Sequence, residues 1–262
     1  MSFDLNNFVI DRVRRGTMFS DTTGEVLWSI TQVKDASLKM SGETVDATDA
    51  IGSIITQFDR AKNAEFTGSN ALWDLGLSAA QFGSQKEVAS TGNTISTPAY
   101  AQLTVSGGKV VLPRIPVGTT GSEIKYIYGL NGDSTLGTKY SLGTTISATE
   151  FTLNAATKTI TVPTGVTGDI AVFYEYAATE AIKLQNNAVD FPAAGRFVLE
   201  VIGKDTCDQT ATYVAMVVFP KAKLKIDSDL GFQTDSGHSF TMTMMQDYCD
   251  LQKNLFNIYI AK

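Results

Sequence analysis

The sequence predicts a mainly β protein of antiparallel strands with one short α-helix and a β-rich middle, and three alternating stretches carry the β reading. From Lys221 the residues alternate, with Lys221, Lys223 and Lys225 on one face and Ala222, Leu224 and Ile226 on the other. Further on, Phe240, Met242 and Met244 alternate with Ser239, Thr241 and Thr243. Near the N-terminus Asp35, Ser37, Lys39, Ser41 and Glu43 alternate with Ala36, Leu38, Met40 and Gly42. A period of two is that of a strand with one wet and one dry face. Asp227-Ser228-Asp229 and Asp235-Ser236-Gly237 supply turn chemistry between the C-terminal strands. Two strands cannot stand alone in water, so the rest of the chain must supply further strands and a second apolar layer.

With 262 residues, 43% of them hydrophobic, the chain can bury a sizeable core. Its net charge of −6 argues against general binding to phosphate backbones, which calls for a basic face. The two cysteines, Cys207 and Cys249, have neither CxxC spacing nor a disulfide scaffold around them, and are expected to be reduced and packed. The opening MSFDLNNFVIDRVRRG has no apolar run after a basic start, and no segment approaches the roughly 18 apolar residues of a membrane span. Neither a secretory signal nor membrane embedding is expected.

Residues 1–24 are expected to form an N-terminal arm, either extended or a first strand followed by a loop. It carries Phe3, Leu5, Phe8, Val9, Ile10 and Val13, and ends in Arg12, Arg14, Arg15 and Gly16. Three arginines in an acidic chain suit a face turned to a neighbouring subunit. Val26-Leu27-Trp28 and Ile30 begin a strand. Asp35 to Thr67 then reads as a long hairpin around the turn Asp46-Ala47-Thr48-Asp49, with Phe58 and Phe66 in phase. Ser69 is placed to cap a helix running through Ala71, Leu72, Leu75 and Ala79 to about Gln81, with Gly83 as its stop. Residues 84–179 change texture. They are rich in Gly, Thr and Ser, with strands expected at 101–105, 109–112, 123–130, 150–153, 159–162 and 169–176, and form an inserted β-rich lobe. From Glu180 the chain returns through Phe191-Pro192 to a strand at 196–202 and a polar turn at Asp205, Cys207 and Asp208. Trp28, Phe58, Trp73 and Phe240 are expected to be buried.

Signals for chemistry are absent. The only histidine, His238, falls in the turn Ser236-Gly237-His238-Ser239. Ser239 and Asp235 are the right types for a triad, but neighbours in a turn cannot form its spaced constellation. Zinc needs three or four Cys or His ligands, more than the two cysteines and one histidine can supply at such spacings. Asp227, Asp229 and Asp235 lack the glycine and glutamate of a calcium loop. Gly118-Thr119-Thr120-Gly121-Ser122 lacks the lysine of a phosphate-binding loop. No catalytic residue, cofactor or metal is expected.

One resemblance is specific. A strand ending in Phe219-Pro220-Lys221, a turn, a long alternating strand ending in Met244-Met245-Gln246-Asp247-Tyr248 and a short last strand together resemble the C-terminal part of bacteriophage tail tube proteins. A short helix directly after a long hairpin also occurs in that family. Residues 150–176, EFTLNAATKTITVPTGVTGDIAVFYEY, resemble strand endings in immunoglobulin-like modules of phage structural proteins. The resemblance implies an antiparallel β-sandwich of the tail-tube type, formed by segments 25–83 and 180–262 with residues 84–179 inserted, that self-assembles into hexameric rings, stacked into a tube through which DNA passes without specific binding. It also implies a place in the virion tail, folding and assembly in the host cytoplasm, and contacts with other tail proteins, a sheath or terminator and a tape measure. In such a ring the wet hairpin face Asp35, Ser37, Lys39, Ser41 and Glu43 suits the lumen. Arg12, Arg14, Arg15, Asp46, Asp49, Lys221, Lys223 and Lys225 are subunit-interface candidates, although lysines along a strand also guard an edge against unwanted pairing. The alternative is an Ig-like decoration or fibre-type virion protein that binds a capsid or cell surface.

Overall fold

A computed structural model describes residues 7–206, 210–227, 229–234, 237–248 and 251–261. Phe3, Leu5, Cys207, Asp208, Ser228, Asp235, Ser236 and Cys249 lie outside the described residues, so the expectations placed on them stay at the level of sequence. The chain divides into two compact units, residues 1–86 with 184–262, and residues 87–183.

The first unit opens with strands β1 (Phe8–Ser20), β2 (Val26–Ile30), β3 (Val33–Thr48) and β4 (Ile54–Asn70), followed by the helix α1 (Leu75–Gln81). In the second unit are β5 (Glu87–Val88), β6 (Ile95–Thr104), β7 (Lys109–Val111), β8 (Pro116–Val117), β9 (Tyr126–Leu130), β10 (Leu136–Leu142), β11 (Glu150–Asn154), β12 (Thr159–Thr161), β13 (Asp169–Ala178) and β14 (Ile182–Lys183). The chain then re-enters the first unit through β15 (Ala194–Asp205), β16 (Thr212–Leu224), β17 (His238–Met244) and β18 (Asn257–Ala261).

The first unit is one antiparallel sheet in the order β2-β1-β15-β16-β17-β4-β3, with β18 also on β16. β1 pairs with β15 from Phe8 to Ser20 and with β2 from Gly16 to Phe19, so the expected arm is a strand of this sheet. Its core gathers Met18, Trp28, Ile30, Phe66, Phe197, Phe219, Phe240 and Met242 from six strands, and Leu77 from α1. Phe66 touches three rings, those of Phe197, Phe219 and Phe240, at centroid distances of 5.7 to 6.0 Å. Strands from both ends of the sheet feed one apolar centre, so the sheet rolls over on itself and needs no separate second layer.

A bulge explains the lysine stripe. Along β16 the inward residues are Tyr213, Ala215 and Phe219, then Ala222 and Leu224, so the alternation changes phase between Phe219 and Ala222. There Pro220 and Lys221 stand opposite the single residue Arg196 of β15. Proline has no N–H to give a ladder, and a bulge is where a strand tolerates it. After the bulge the lysines face outward. Ile226, expected on the dry face, is exposed because β16 ends at Leu224.

The helix starts later than its spacing suggests. Asn70 is still paired with His238 and Val33, which keeps Ser69 in a strand, and Asp74 is the cap, its Oδ1 accepting from the Leu77 N–H at 2.7 Å. Gly83, at φ +68°, ends it. Its N–H reaches the Ala80 carbonyl and the Ser84 N–H that of Ala79, a Schellman closure. Trp73, expected inside, is 54% exposed; its indole N–H donates to Ser78 Oγ and its ring meets the edge of Phe232 at the surface.

The second unit is a separate sheet, ordered β6-β13-β9-β10-β11-β12-β7, with β8 on β13 and a small β14-β5 pair beside it. All its pairings are antiparallel except β10 with β11. Ala101 of β6 and Val110 of β7, at opposite ends of that order, share a core with Ile127, Phe151, Ile160 and Val172, so this sheet is also rolled. β10 was not legible in the sequence, since Leu136–Leu142 reads LGTKYSL without alternation.

Candidate assembly surfaces

In the first unit the strands β16, β17, β4 and β3 present one polar face. Lys39 pairs with Glu65, Glu65 with Thr243 and Thr243 with Lys223, a cross-strand row four strands wide. In the next row Ser37 pairs with Thr67 and Thr67 with Thr241, whose carbonyl accepts the Lys225 N–H. Asp35 joins the face through Ser69, whose hydroxyl reaches its Oδ2 at 3.3 Å. Sequence reasoning put Ser37, Lys39 and Ser41 on one surface and Lys221, Lys223 and Lys225 on another, and the ladder brings them onto the same face. Two of its lysines are paired with acids, while Lys39 and Lys223 make no ion pair among the described residues. Lys225 Nζ pairs with Glu65, and Lys221 Nζ lies 3.9 Å from Asp247 Oδ1. Exposed pairs of this kind add little stability, but they occupy the cations.

The β3–β4 hairpin outruns the sheet that carries it. β17 stops pairing with β4 at Met244–Ala64, and from Ser41–Asn63 to Thr48–Ile54 the two strands have no third strand among the described residues. Ten residues of β4, Ile54–Asn63, belong to this ribbon, about 33 Å at the usual strand rise. Its turn is closed by Asp49, whose Oδ1 accepts from the N–H groups of Ile51 and Ser53 at 3.0 and 2.8 Å, and Asp46 accepts from Gln57 at 2.9 Å. Both aspartates proposed for contact with a neighbour therefore organise their own hairpin.

Phe58 was expected in the core and is 53% exposed. A bulge moves it: between Asn63 and Arg60 of β4 stand Ala61 and Lys62, facing Gly42 alone, with Ala61 at φ +47°. The extra residue inverts the phase, so Phe66 sits beside Leu38 but Phe58 beside Val45, on the other face of the ladder. Beyond the bulge Glu43 stands opposite Arg60. Ile51, Ile54 and Ile55 are exposed with Phe58, Ile51 to 88%. Sequence reasoning missed this apolar ribbon. The available signal was the length of its strands, 16 and 17 residues, about three times the usual.

On β1, Arg14 pairs with Glu200 at 2.8 Å and Arg12 with the adjacent Asp11 at 2.9 Å, whereas Arg15 makes no ion pair among the described residues. Of these three, only Arg15 keeps an uncommitted charge among the described residues.

His238 is not in a turn. It opens β17 and is buried, with Nε2 2.6 Å from Gln81 Oε1, while the Gln81 amide donates to the Ser239 carbonyl at 3.0 Å. The histidine and glutamine pin α1 to β17. Burial holds the imidazole below its ordinary pKa, the Asp74 carboxylate opposing weakly. Among the described residues no group of three or more His, Cys, Asp or Glu is placed to hold a metal, and no helix is long and apolar enough to cross a membrane.

These features define a class: a β-rich structural protein whose distinctive surfaces are a broad polar sheet face and a protruding apolar ribbon. Residues 8–253 match the YomU/Tube protein family, and the chain belongs to it. It is thus a structural protein of the phage tail-tube type. No curated protein matches it in sequence.

Proposed function

We propose that copies of this chain join side by side into hexameric rings, and that the rings stack into the tail tube of a phage, a conduit for DNA. The observation that carries this is the ribbon. An isolated two-stranded hairpin is at best marginally stable in water, and one that also exposes Ile51, Ile54, Ile55 and Phe58 needs a partner surface. A repeated subunit supplies that surface at every position in a closed ring or stack. The polar face of β16, β17, β4 and β3 lines the lumen in this reading. Its serines and threonines stay wet, and the pairing of Lys221 and Lys225 with acids leaves fewer free cations for phosphates. That function is assembly without catalysis. The tape measure lies inside the tube, a sheath or terminator meets its outside or its end, and the assembled tube forms in the host cytoplasm before joining the virion.

Electron microscopy of the purified chain tests this. Rings or tubes with six-fold symmetry are expected, and a chain with Ile54→Ser and Phe58→Ser is expected to fold but stay unassembled. Monomers or trimers of the unaltered chain under all assembly conditions would instead favour a decoration or fibre protein.

A further inference from the structure

The inserted unit holds a cleft of about 560 Å³, whose lining includes Arg114, Ile115, Val117, Lys158, Tyr176 and Glu180. That volume is in the range of small-molecule sites. Two basic residues line it, from different elements. Arg114 lies in the short connection from β7 to β8, between Pro113 and the Ile115-Pro116 pair. The two prolines fix their own φ angles and hold Leu112 and Ile115 extended, so the connection has little freedom. Its guanidinium sits over the Tyr176 ring, 5.8 Å from the centroid.

Lys158 comes from the β11–β12 hairpin. Its φ is +59°, in the left-handed region that glycine or asparagine normally fills. The turn is closed by the Asn154 side chain on the Thr157 N–H and by the Ala155 carbonyl on the Lys158 N–H, while the Lys158 carbonyl accepts from Leu112 N–H at 2.8 Å. That last bond ties the hairpin to the residue two before Arg114. Neither cation makes an ion pair among the described residues, and Glu180 is the only acid in the lining. In a chain of net charge −6, two uncommitted cations in one cleft are a local reversal of sign, and they select an anion. The remaining walls combine apolar residues (Ile115, Val117, Ala177) with Thr179 and the aromatic Tyr176. Such walls match a body that mixes C–H faces with hydroxyls.

We infer that this cleft binds an anionic saccharide, with Arg114 and Lys158 holding one phosphate or carboxylate group and the sugar body lying against Ile115, Val117 and Tyr176. This activity is separate from tube assembly, and either can fail without the other. Arginine suits the planar, two-pronged recognition of such groups, and lysine adds a point charge. The same chemistry is offered by phosphorylated and by uronic-acid-containing polymers, and the probes below separate them.

The test is isothermal titration calorimetry of the full chain with glucose 1-phosphate, glucuronic acid and methyl glucoside. Saturable binding of one or both acids is expected, with affinity falling as salt rises, and whichever acid binds names the class. Methyl glucoside is expected not to saturate. Arg114→Gln and Lys158→Asn should each weaken binding by about tenfold or more, the worth of one charge-assisted hydrogen bond. Lys158→Asn is the decisive variant, because asparagine accepts the left-handed backbone and removes only the charge, so the hairpin stays folded. Three results would overturn the inference: no heat from either acid, equal binding of the neutral sugar, or undiminished binding by both variants with unchanged melting curves.

Discussion

Phe58 and Phe66 stand eight residues apart on one strand and face opposite sides of the β3–β4 ladder, because Ala61 and Lys62 together oppose Gly42. Phe66 is at the centre of the aromatic core, whereas Phe58 lies where no third strand reaches. Phe66→Ala should therefore cost the unassembled chain about 3–5 kcal/mol, the usual loss for a buried phenylalanine. Phe58→Ala should move its stability by less than about 0.5 kcal/mol. Assembly should show the reverse order, with the critical concentration for tube formation rising for Phe58→Ala. Urea unfolding of unassembled protein and sedimentation of assembled protein measure the two effects separately. Equal destabilisation by both substitutions would mean that the ribbon is covered within its own subunit.

The same pair shows what the sequence could and could not reveal. Period-two alternation in Phe240, Met242 and Met244 marked the inner face of β17 correctly, since that strand is short and unbroken. Across β4 and β16 the alternation changes phase at a bulge, and a bulge is one added residue with no distinctive composition. Phe58 was misplaced for that reason. The helix start was misjudged by five residues because Ser69 and Asp74 are both competent caps, and only the pairing of Asn70 with His238 decides between them. The polar face was legible strand by strand. That its rows run from Lys39 through Glu65 and Thr243 to Lys223 depends on pairings between residues nearly two hundred positions apart, which no local pattern carries.

His238 should make stability depend on pH. Buried and neutral, it resists protonation below its ordinary value of 6.5, with the Asp74 carboxylate the charged group acting against that shift. In the unfolded chain the imidazole takes up a proton near 6.5. The unfolded state then binds more protons than the native one, so stability is full above about pH 6.5 and declines as pH falls below it. His238→Gln should flatten this dependence between about pH 5 and 7. Urea midpoints at a series of pH values check it, and identical slopes for the two proteins would show that the histidine is not the group responsible.

Gly83 is required where it stands. Its φ of +68° closes the C-terminus of α1, and a Cβ there would come within 2.6 Å of the Phe191 backbone. Gly83→Ala combines a left-handed backbone penalty of about 1 kcal/mol with a contact that backbone atoms cannot easily relieve. The expected loss exceeds about 2 kcal/mol in total. Gly92, which has open space around it and no left-handed φ, is the control, and Gly92→Ala should be close to neutral. Chemical denaturation of both variants gives the comparison, and a neutral Gly83→Ala would mean that the chain at Phe191 is free to move away.

The polar face offers a direct test of the proposed lumen. Glu65 lies in its central row and pairs with Lys225, so Glu65→Gln keeps the size and hydrogen bonding of the side chain while releasing one cation on each subunit. Both partners are partly exposed, and the change should shift stability by less than about 0.5 kcal/mol. In a hexameric ring the release recurs at every subunit, and stacking repeats it along the tube. DNA that touches such a wall frees counterions for each lysine it meets, so retention should rise in the variant and fall steeply with added salt. Assembled tubes of Glu65→Gln, incubated with short duplex DNA and pelleted at low salt, should hold more DNA than unaltered tubes, and the difference should vanish at high salt. An increase that persists when the tube ends are blocked would place the face on the outside. No increase at any salt concentration would remove the β16–β17–β4–β3 face from the lumen.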